Sequence, residues 1–459
     1  MKTPQYYCII ALAAWSAVST LTSCNDLLDK DPILETSSAT IFSSSSRVES
    51  YLEGVYNRLG SELPSYFYTT EMRGDDFEDL VQNGNLIAYE MNVSVSGSSS
   101  DWNGLYKAIG EANDFLSQLA SAERVVGEDY ARFRSEALFV RALSYYYLTV
   151  LYARPYILDP DAKAVPLRLG TDETSSNDLA ASTIEEVHQQ ILSDLSDDNL
   201  SHLRRGGGSV AGVTHATQAA AHALRMRLRL ERHEWQAALR EGEAIEGYAL
   251  GDIAALFASP YYTVESILSF PYSANNKNSL AANFYLANSV ALETAYSGIY
   301  ALPLYSQSQD LRRSLLSYRP NTHWTLTKYS DVSSGTDWIP LFRYAEILLN
   351  EAEAYYQLGQ EDQALQRLLQ VRRRSIAAAD DALDEATLVG DNLREAIYNE
   401  RRLEFVGEGL RSIDIHRRAD TFWKRRGGNE IIVAPTDDGY IFPIPLSETS
   451  QNSLVTADN

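Results

Sequence analysis

Between Arg343 and Val371 the chain reads RYAEILLNEAEAYYQLGQEDQALQRLLQV, a spacing with few ways to fold. Ala352 is small where two helices have to approach, Tyr355 follows one turn later to fill the adjacent gap, and Gly359 turns the chain. Ala364 and Leu368 then face back from a returning helix. The result is a helix pair with tetratricopeptide spacing, and one such pair cannot bury its own apolar face. Further pairs are therefore required elsewhere in the chain.

Two more blocks supply them. Residues 219–245, AAAHALRMRLRLERHEWQAALREGEAI, repeat the scheme through Trp235 and Ala238, more loosely because Arg229 stands where an aromatic is usual. Residues 136–152, EALFVRALSYYYLTVLY, form one long apolar helix with the same alternation of small and aromatic side chains. Around them, RVESYLEGVYNRLG places Val48, Leu52, Val55, Tyr56 and Leu59 on one stripe that Gly60 should stop. DWNGLYKAIGEANDFLSQL offers Asp101 as N-cap and Trp102, Leu105, Ile109, Ala112 and Leu116 as a buried face. DNLREAIYNERRLEFVGEGLRSIDIHRRAD starts at a capping Asp391, and its spacing sets Glu400 and Glu404 on one helical face with Arg401 and Arg402 turned away. Residues 430–448 read as short strands about a turn, and the stretches 61–100 and 257–340 read as loop-rich excursions. The fold class is mainly α: a tetratricopeptide-like helical repeat scaffold with loop-rich excursions and a few short strands.

The beginning of the chain carries an address. Lys2 precedes Tyr6–Val18, an apolar run of about a dozen residues, which is the length of a signal-peptide core and too short to span a bilayer. Leu21, Thr22, Ser23 and Cys24 then match a lipobox, so cleavage before Cys24 and lipidation of its thiol are expected. This divides the chain into a signal peptide, 1–23, an acidic and Ser-rich leader, 24–46, and a single helical domain, 47–459. The other of the two cysteines, Cys8, would be discarded, so no disulfide is available and stability must come from core size.

The charge excludes one class of partner. With 39 Lys and Arg against 62 Asp and Glu, the net charge is −23, and such a surface repels phosphate backbones. The basic runs Arg372–Arg374 and Lys424–Arg426 are short and flanked by acids, as solvated helix faces or C-terminal helix charges are.

Enzyme signatures are missing where they would be read. The seven histidines include no pair four residues apart, and His233-Glu234 lacks the second His of a zinc hydrolase helix. Gly206-Gly207-Gly208-Ser209 has no Lys in P-loop position, and no Gly-x-Ser-x-Gly elbow occurs. Adjacent acids such as Asp75 and Asp76 are expected by chance among 62 and do not by themselves make a glycosidase pair. The sequence calls for no cofactor and no metal.

The motifs taken together resemble the SusD/RagB family of outer-membrane nutrient-binding lipoproteins of Bacteroidota. The residues that carry the resemblance are CNDLLDKDP, WNGLYKAIGEAN, FRSEALFVRALSYYYLTVLYARPYI, AHALRMRLRL with HEWQAAL, RYAEILLNEAEAYYQLG, NLREAIYNERRLEFVGEGLRSIDIHRR and YIFPIPLSE, in family order. One departure is Ser412-Ile413-Asp414, where the family usually has an aromatic before the Asp; local repacking is expected there. The resemblance implies a cell-surface protein, lipid-anchored in the outer membrane, that binds without catalysis and acts as the lid of a SusC-like TonB-dependent β-barrel transporter. It also implies that the repeats face the barrel while oligosaccharide binds the opposite, loop-rich face. A peptide ligand is the alternative, and a surface hydrolase or adhesive structural lipoprotein a distant one.

A sugar ring offers C–H groups to aromatic faces and hydroxyls to amides, carboxylates and Arg. Loop texture therefore selects Arg73, Asp75, Asp76, Asn83 and Asn85 in the first excursion, and Tyr272, Asn275, Asn276, Trp324 and Tyr329 in the second.

Overall fold

A computed structural model of the chain describes residues 41–79, 91–170, 178–286, 290–292, 309–318, 324–426 and 429–456. The leader and Cys24 lie outside these residues, apart from the leader's last few positions. Among the described residues ten longer helices carry the scaffold: α1 (Ser45–Arg73), α2 (Ser99–Ser121), α3 (Tyr130–Tyr152), α4 (Ile184–Asp194), α5 (Gln218–Glu231), α6 (Trp235–Glu243), α7 (Tyr344–Gln357), α8 (Glu361–Ser375), α9 (Asp391–Phe405) and α10 (Arg411–Arg417). Helices α1 to α4 pack in succession, α5 joins α3, and α5 to α9 continue as neighbouring pairs. This is the repeat scaffold expected from Ala352 and its counterparts.

The small residues sit at the crossings. Ala238, Ala352 and Ala364 are fully buried. Gly242 on α6 lies so near α7 that a Cβ there would come within 2.8 Å of Glu351 Oε1. Gly359 turns α7 into α8 at φ +73°, a conformation that favours glycine. Helix α3 is buried on all sides from Ser135 onward, which its nearly continuous apolar composition permits.

Helix α1 departs from expectation. It does not stop at Gly60 but runs on through Pro64 to Arg73. Proline lacks the N–H that would bond the carbonyl four residues back, which is that of Gly60. The Tyr272 hydroxyl donates to that carbonyl instead, at 2.7 Å. The bare Gly60 also lets the Phe270 ring close in. A side chain distant in sequence thus repairs the break that local signals announce. Helix α2 begins two residues before Asp101, and Asp101 in its first turn accepts from Ser65 and Thr69 of α1 at 2.9 and 3.0 Å rather than capping its own helix. Helix α9 starts at Asp391, but its N-cap residue is Gly390 and the Asp391 side chain does not cap it.

Among the described residues the strands form four antiparallel pairs: β1 (Phe77–Asp79) with β3 (Val290–Leu292), β2 (Ser266–Phe270) with β6 (Ile339–Arg343), β4 (Leu316–Tyr318) with β5 (Trp324–Leu326), and β7 (Phe422–Arg426) with β8 (Asn429–Val433). Of the stretch 430–448 only the beginning is strand. Phe442 and Ile444 instead enter the core, and a short helical turn follows at Leu446–Thr449. Lys424, expected at the surface, is buried on β7. Its ammonium donates to the carbonyls of Met72 and Arg73 at 2.8 and 3.0 Å, where α1 ends. Among the described residues no helix is long and apolar enough to cross a membrane.

Candidate ligand-binding face

A buried charge lattice fixes the geometry around the excursions. Glu404 accepts from Arg343, Arg374 and Arg312, while Glu400 accepts from Arg312 and Arg372 at 2.6 and 2.8 Å. On the other side of α9, Arg401 holds Asp414 at 2.9 and 3.0 Å, and Arg402 reaches Asp76 at 2.6 Å. The facial separation read from the sequence is present, and it ties α8, α9, β6 and the segment before β4 into one rigid body. Burial alone would raise the Glu404 carboxyl, but Arg374, Arg343 and Arg312 hold it well below the usual carboxylate range. Arg372 and Arg374 belong to this lattice and are not solvated charges. At the family departure, Ser412 and Ile413 are buried, and Asp414 pairs with both Arg401 and Arg417.

The same lattice consumes several residues that loop texture had assigned to ligand. Arg73 is fully buried at the end of α1. It donates to the Val150 carbonyl at 3.3 Å and the Tyr440 carbonyl at 2.5 Å, between the rings of Phe422 and Phe442. Asp75 pairs with Arg411 at 2.9 Å; burial opposes its ionisation, yet Arg411 and Arg402 lower it to about 2. Asp76 is buried against Arg402, with burial raising its pKa over the arginine's pull. Tyr272 serves α1, and Tyr329 is buried edge-on to Phe257. Arg73, Asp75, Asp76 and Tyr272 are spent on backbone carbonyls and counter-ions of the fold, and Tyr329 on packing in the core. Asn83 and Asn85 lie outside the described residues.

The remaining three keep an open setting. Asn275 is exposed and Asn276 half-buried in a turn closed between Ser273 and Asn276 at 2.9 and 3.0 Å. Trp324 is half-buried on β5, opposite Tyr318.

The structure also joins the two excursions. Phe77, Glu78 and Asp79 pair with Leu292, Ala291 and Val290, and β3 packs in turn against β5. Behind this strand group Phe77 stacks on Phe284 at 4.9 Å, and Phe284 meets Tyr68 at 5.7 Å. Tyr68, Asn283, Tyr285 and Trp324 are half-buried there, an aromatic and amide set on a stiff base. Tyr68, Asn283 and Tyr285 were missed: Tyr68 lies in a helix, and the aromatic-amide run Asn283-Phe284-Tyr285 was the one available signal. A separate cleft of about 500 Å³ opens between α2 and residues 447–451, lined by Trp102, Asn103, Tyr106, Lys107, Arg168 and Glu448. Among the described residues no group of three or more His, Cys, Asp or Glu is arranged to hold a metal ion.

A rigid helical-repeat scaffold carrying a loop-borne aromatic face defines a binding protein of the tetratricopeptide-like class. Residues 268–459 match the model of the SusD family, and residues 26–230 match one described as starch-binding associating with outer membrane. A solved SusD superfamily protein from Bacteroides fragilis is 40% identical with a TM-score of 0.85, covering 91% of this chain and 100% of that one. A SusD-like protein of Formosa agariphila is 22% identical over 86% of this chain and 87% of its own length. The structure of a laminarin-binding SusD-like protein shares the fold at 21% identity, with a TM-score of 0.69 over 90% of this chain and 98% of that one. The chain belongs to the SusD/RagB family.

Proposed function

We propose that this protein captures oligosaccharide at the cell surface and passes it to a partner TonB-dependent β-barrel, while tethered to the outer membrane by lipid on Cys24. The observation that carries the reading is the strand group β1, β3 and β5. It brings half-buried Tyr68, Asn283, Tyr285 and Trp324 together on a base locked by buried ion pairs. Aromatic faces stack on sugar C–H groups, and amides meet hydroxyls. A locked base lowers the ordering cost of binding. The laminarin-binding relative supports the choice of glycan as ligand class. The protein acts by binding and release, without turnover.

The test is calorimetry against a panel of oligosaccharides and peptides, with product analysis after long incubation. Affinity for glycans is expected between micromolar and millimolar, or roughly −8 to −4 kcal/mol. Binding of peptides alone would replace glycan by peptide as the ligand. Shortened oligosaccharides that disappear with one carboxylate variant would replace carrier by enzyme.

A further inference from the structure

Trp338 stands one residue ahead of the buried strand β6, and two consecutive tyrosines approach it from the segment leading into β2. The ring centroids of Tyr261 and Tyr262 lie 6.2 and 6.1 Å from that of Trp338, and their planes incline to the indole by only 24° and 19°. Rings in near-parallel planes at that separation are displaced sideways, since face-on contact would bring them much closer. They form a stepped platform. All three residues are half-buried, so each ring leaves part of itself to solvent.

The platform is held in place from beneath. Tyr261 has φ +64°, a region that favours glycine, yet the position carries a large aromatic. Its hydroxyl donates to Asp337 Oδ1 at 3.2 Å. Asp337 Oδ2 accepts the Asp331 amide at 2.8 Å, and Asp331 accepts from Ser333, Ser334 and Thr336. The two acids therefore fasten the loop 331–337 and have their oxygens occupied. Asn278 bonds the Asp337 carbonyl at 2.9 Å and the Gly335 carbonyl at 2.8 Å, which fixes the turn bearing Asn275 and Asn276 beside the same loop. Among the described residues the Trp338 indole N–H, the Tyr262 hydroxyl and the Asn275 amide have no hydrogen-bond partner.

We propose that Tyr261, Tyr262 and Trp338 form a second saccharide-contact site, apart from the strand face, that stacks on the C–H faces of neutral pyranose rings. For the class of ligand this rests on the glycan reading above; the location is independent of it. Aromatic planes set in steps suit successive rings of a sugar chain. Open donors at the rim suit hydroxyls, and the Asp331 and Asp337 carboxylates are already held by amides of their own loop. The platform also shares a support with the strand face. The turn Ala254–Phe257 precedes it, and its apolar residues cluster with Leu315, next to β4. A long glycan engaging both surfaces would gain avidity that a short one cannot. Val264 and Val332 are exposed close by in sequence, so a protein partner or second copy is the competing occupant.

The experiment uses the full-length chain in detergent, with laminarin and its short oligosaccharides first among the glycan probes. Trp338→Ala, Tyr262→Ala and Trp324→Ala are compared with wild type by calorimetry, after thermal melts establish that each is folded. Tyr262→Ala guards against misfolding of the Trp338 variant, because its hydroxyl holds nothing in place. The expected result is that Trp338→Ala and Tyr262→Ala each weaken binding of the long polymer by about tenfold or more and leave short oligosaccharides nearly unaffected. Unchanged polymer binding in both variants overturns the second site while leaving the glycan reading intact. No glycan binding by wild type overturns both. Loss of self-association in analytical ultracentrifugation, with glycan binding unchanged, assigns the platform to a second copy and overturns the saccharide site.

Discussion

Tyr272 shows how a residue chosen for chemistry turns out to serve architecture. Its hydroxyl replaces the hydrogen bond that Pro64 denies to Gly60 inside α1. Tyr272→Phe should leave a buried carbonyl unpaired and lower stability by about 1–3 kcal/mol, read from the urea midpoint; an unchanged midpoint would refute the role. Glu231 is the second residue with a measurable consequence. Its Oε1 lies 3.9 Å from His188 Nε2 and 4.0 Å from His416 Nδ1, all fully buried. Burial raises Glu231 to about 8 against the pull of Arg417 and Arg232, and burial lowers His188 to about 3 and His416 to about 4. His416 Nε2 donates to the Ala153 carbonyl at 2.8 Å, so Nδ1 is bare and faces a carboxyl that keeps its proton. Because the folded state holds that proton and the unfolded state releases it, stability falls as pH rises from the ordinary carboxylate range to about 8. The two histidines slope the other way, but only below about 6.5, where the unfolded chain protonates them. Between about pH 6.5 and 8, Glu231→Gln should therefore lose less stability than wild type, by about 1.4 kcal/mol per pH unit. Parallel curves from denaturant titrations would sink that assignment.

At the level of elements, the helix pairs follow from small residues at crossings. Ala352 on α7 is fully buried where α6, α8 and α9 converge on that helix. Ala352→Trp should overpack the crossing and destabilise by about 1–3 kcal/mol or more, seen as a lower melting temperature with a helix-dominated circular dichroism spectrum retained. An unaltered melting temperature would place Ala352 outside any tight crossing. The strand pairs have another origin. Phe77–Asp79 and Val290–Leu292 are short and lack a period of their own, and β1 is positioned by Asp75 and Asp76 locked to Arg411 and Arg402. Their pairing joins segments far apart in the chain and could not be read from three residues.

For the whole molecule, the proposed anchor is expected to be separable from the fold. The expected lipidation at Cys24 precedes a leader ahead of the first packed helix, so Cys24→Ala should release the protein from the membrane fraction while its melting temperature stays unchanged. Retention of a lipid-bearing Cys24→Ala protein in the outer membrane would refute the anchor. One extended core spanning α1 to α9 sustains the fold, and the satellite clusters around Phe422 and Phe257 hold the excursions to it.

The helical scaffold was legible because its signals are local and periodic. The stripe from Val48 to Leu59, the block 343–371 and the opposed faces of α9 depend on residues within a few turns of one another. The family, too, was legible, because its motifs are contiguous runs in a fixed order. The ligand face was not. Arg73, Asp76 and Tyr329 have the composition of a site, yet they are buried because Tyr440, Arg402 and Phe257 come from far along the chain to meet them. Helix α1 outruns Gly60 for the same reason. Periodicity reports which face of an element is apolar; which polar groups find partners is settled only when distant elements pack, since a buried charge or carbonyl is satisfied by whatever the tertiary fold brings within hydrogen-bonding distance.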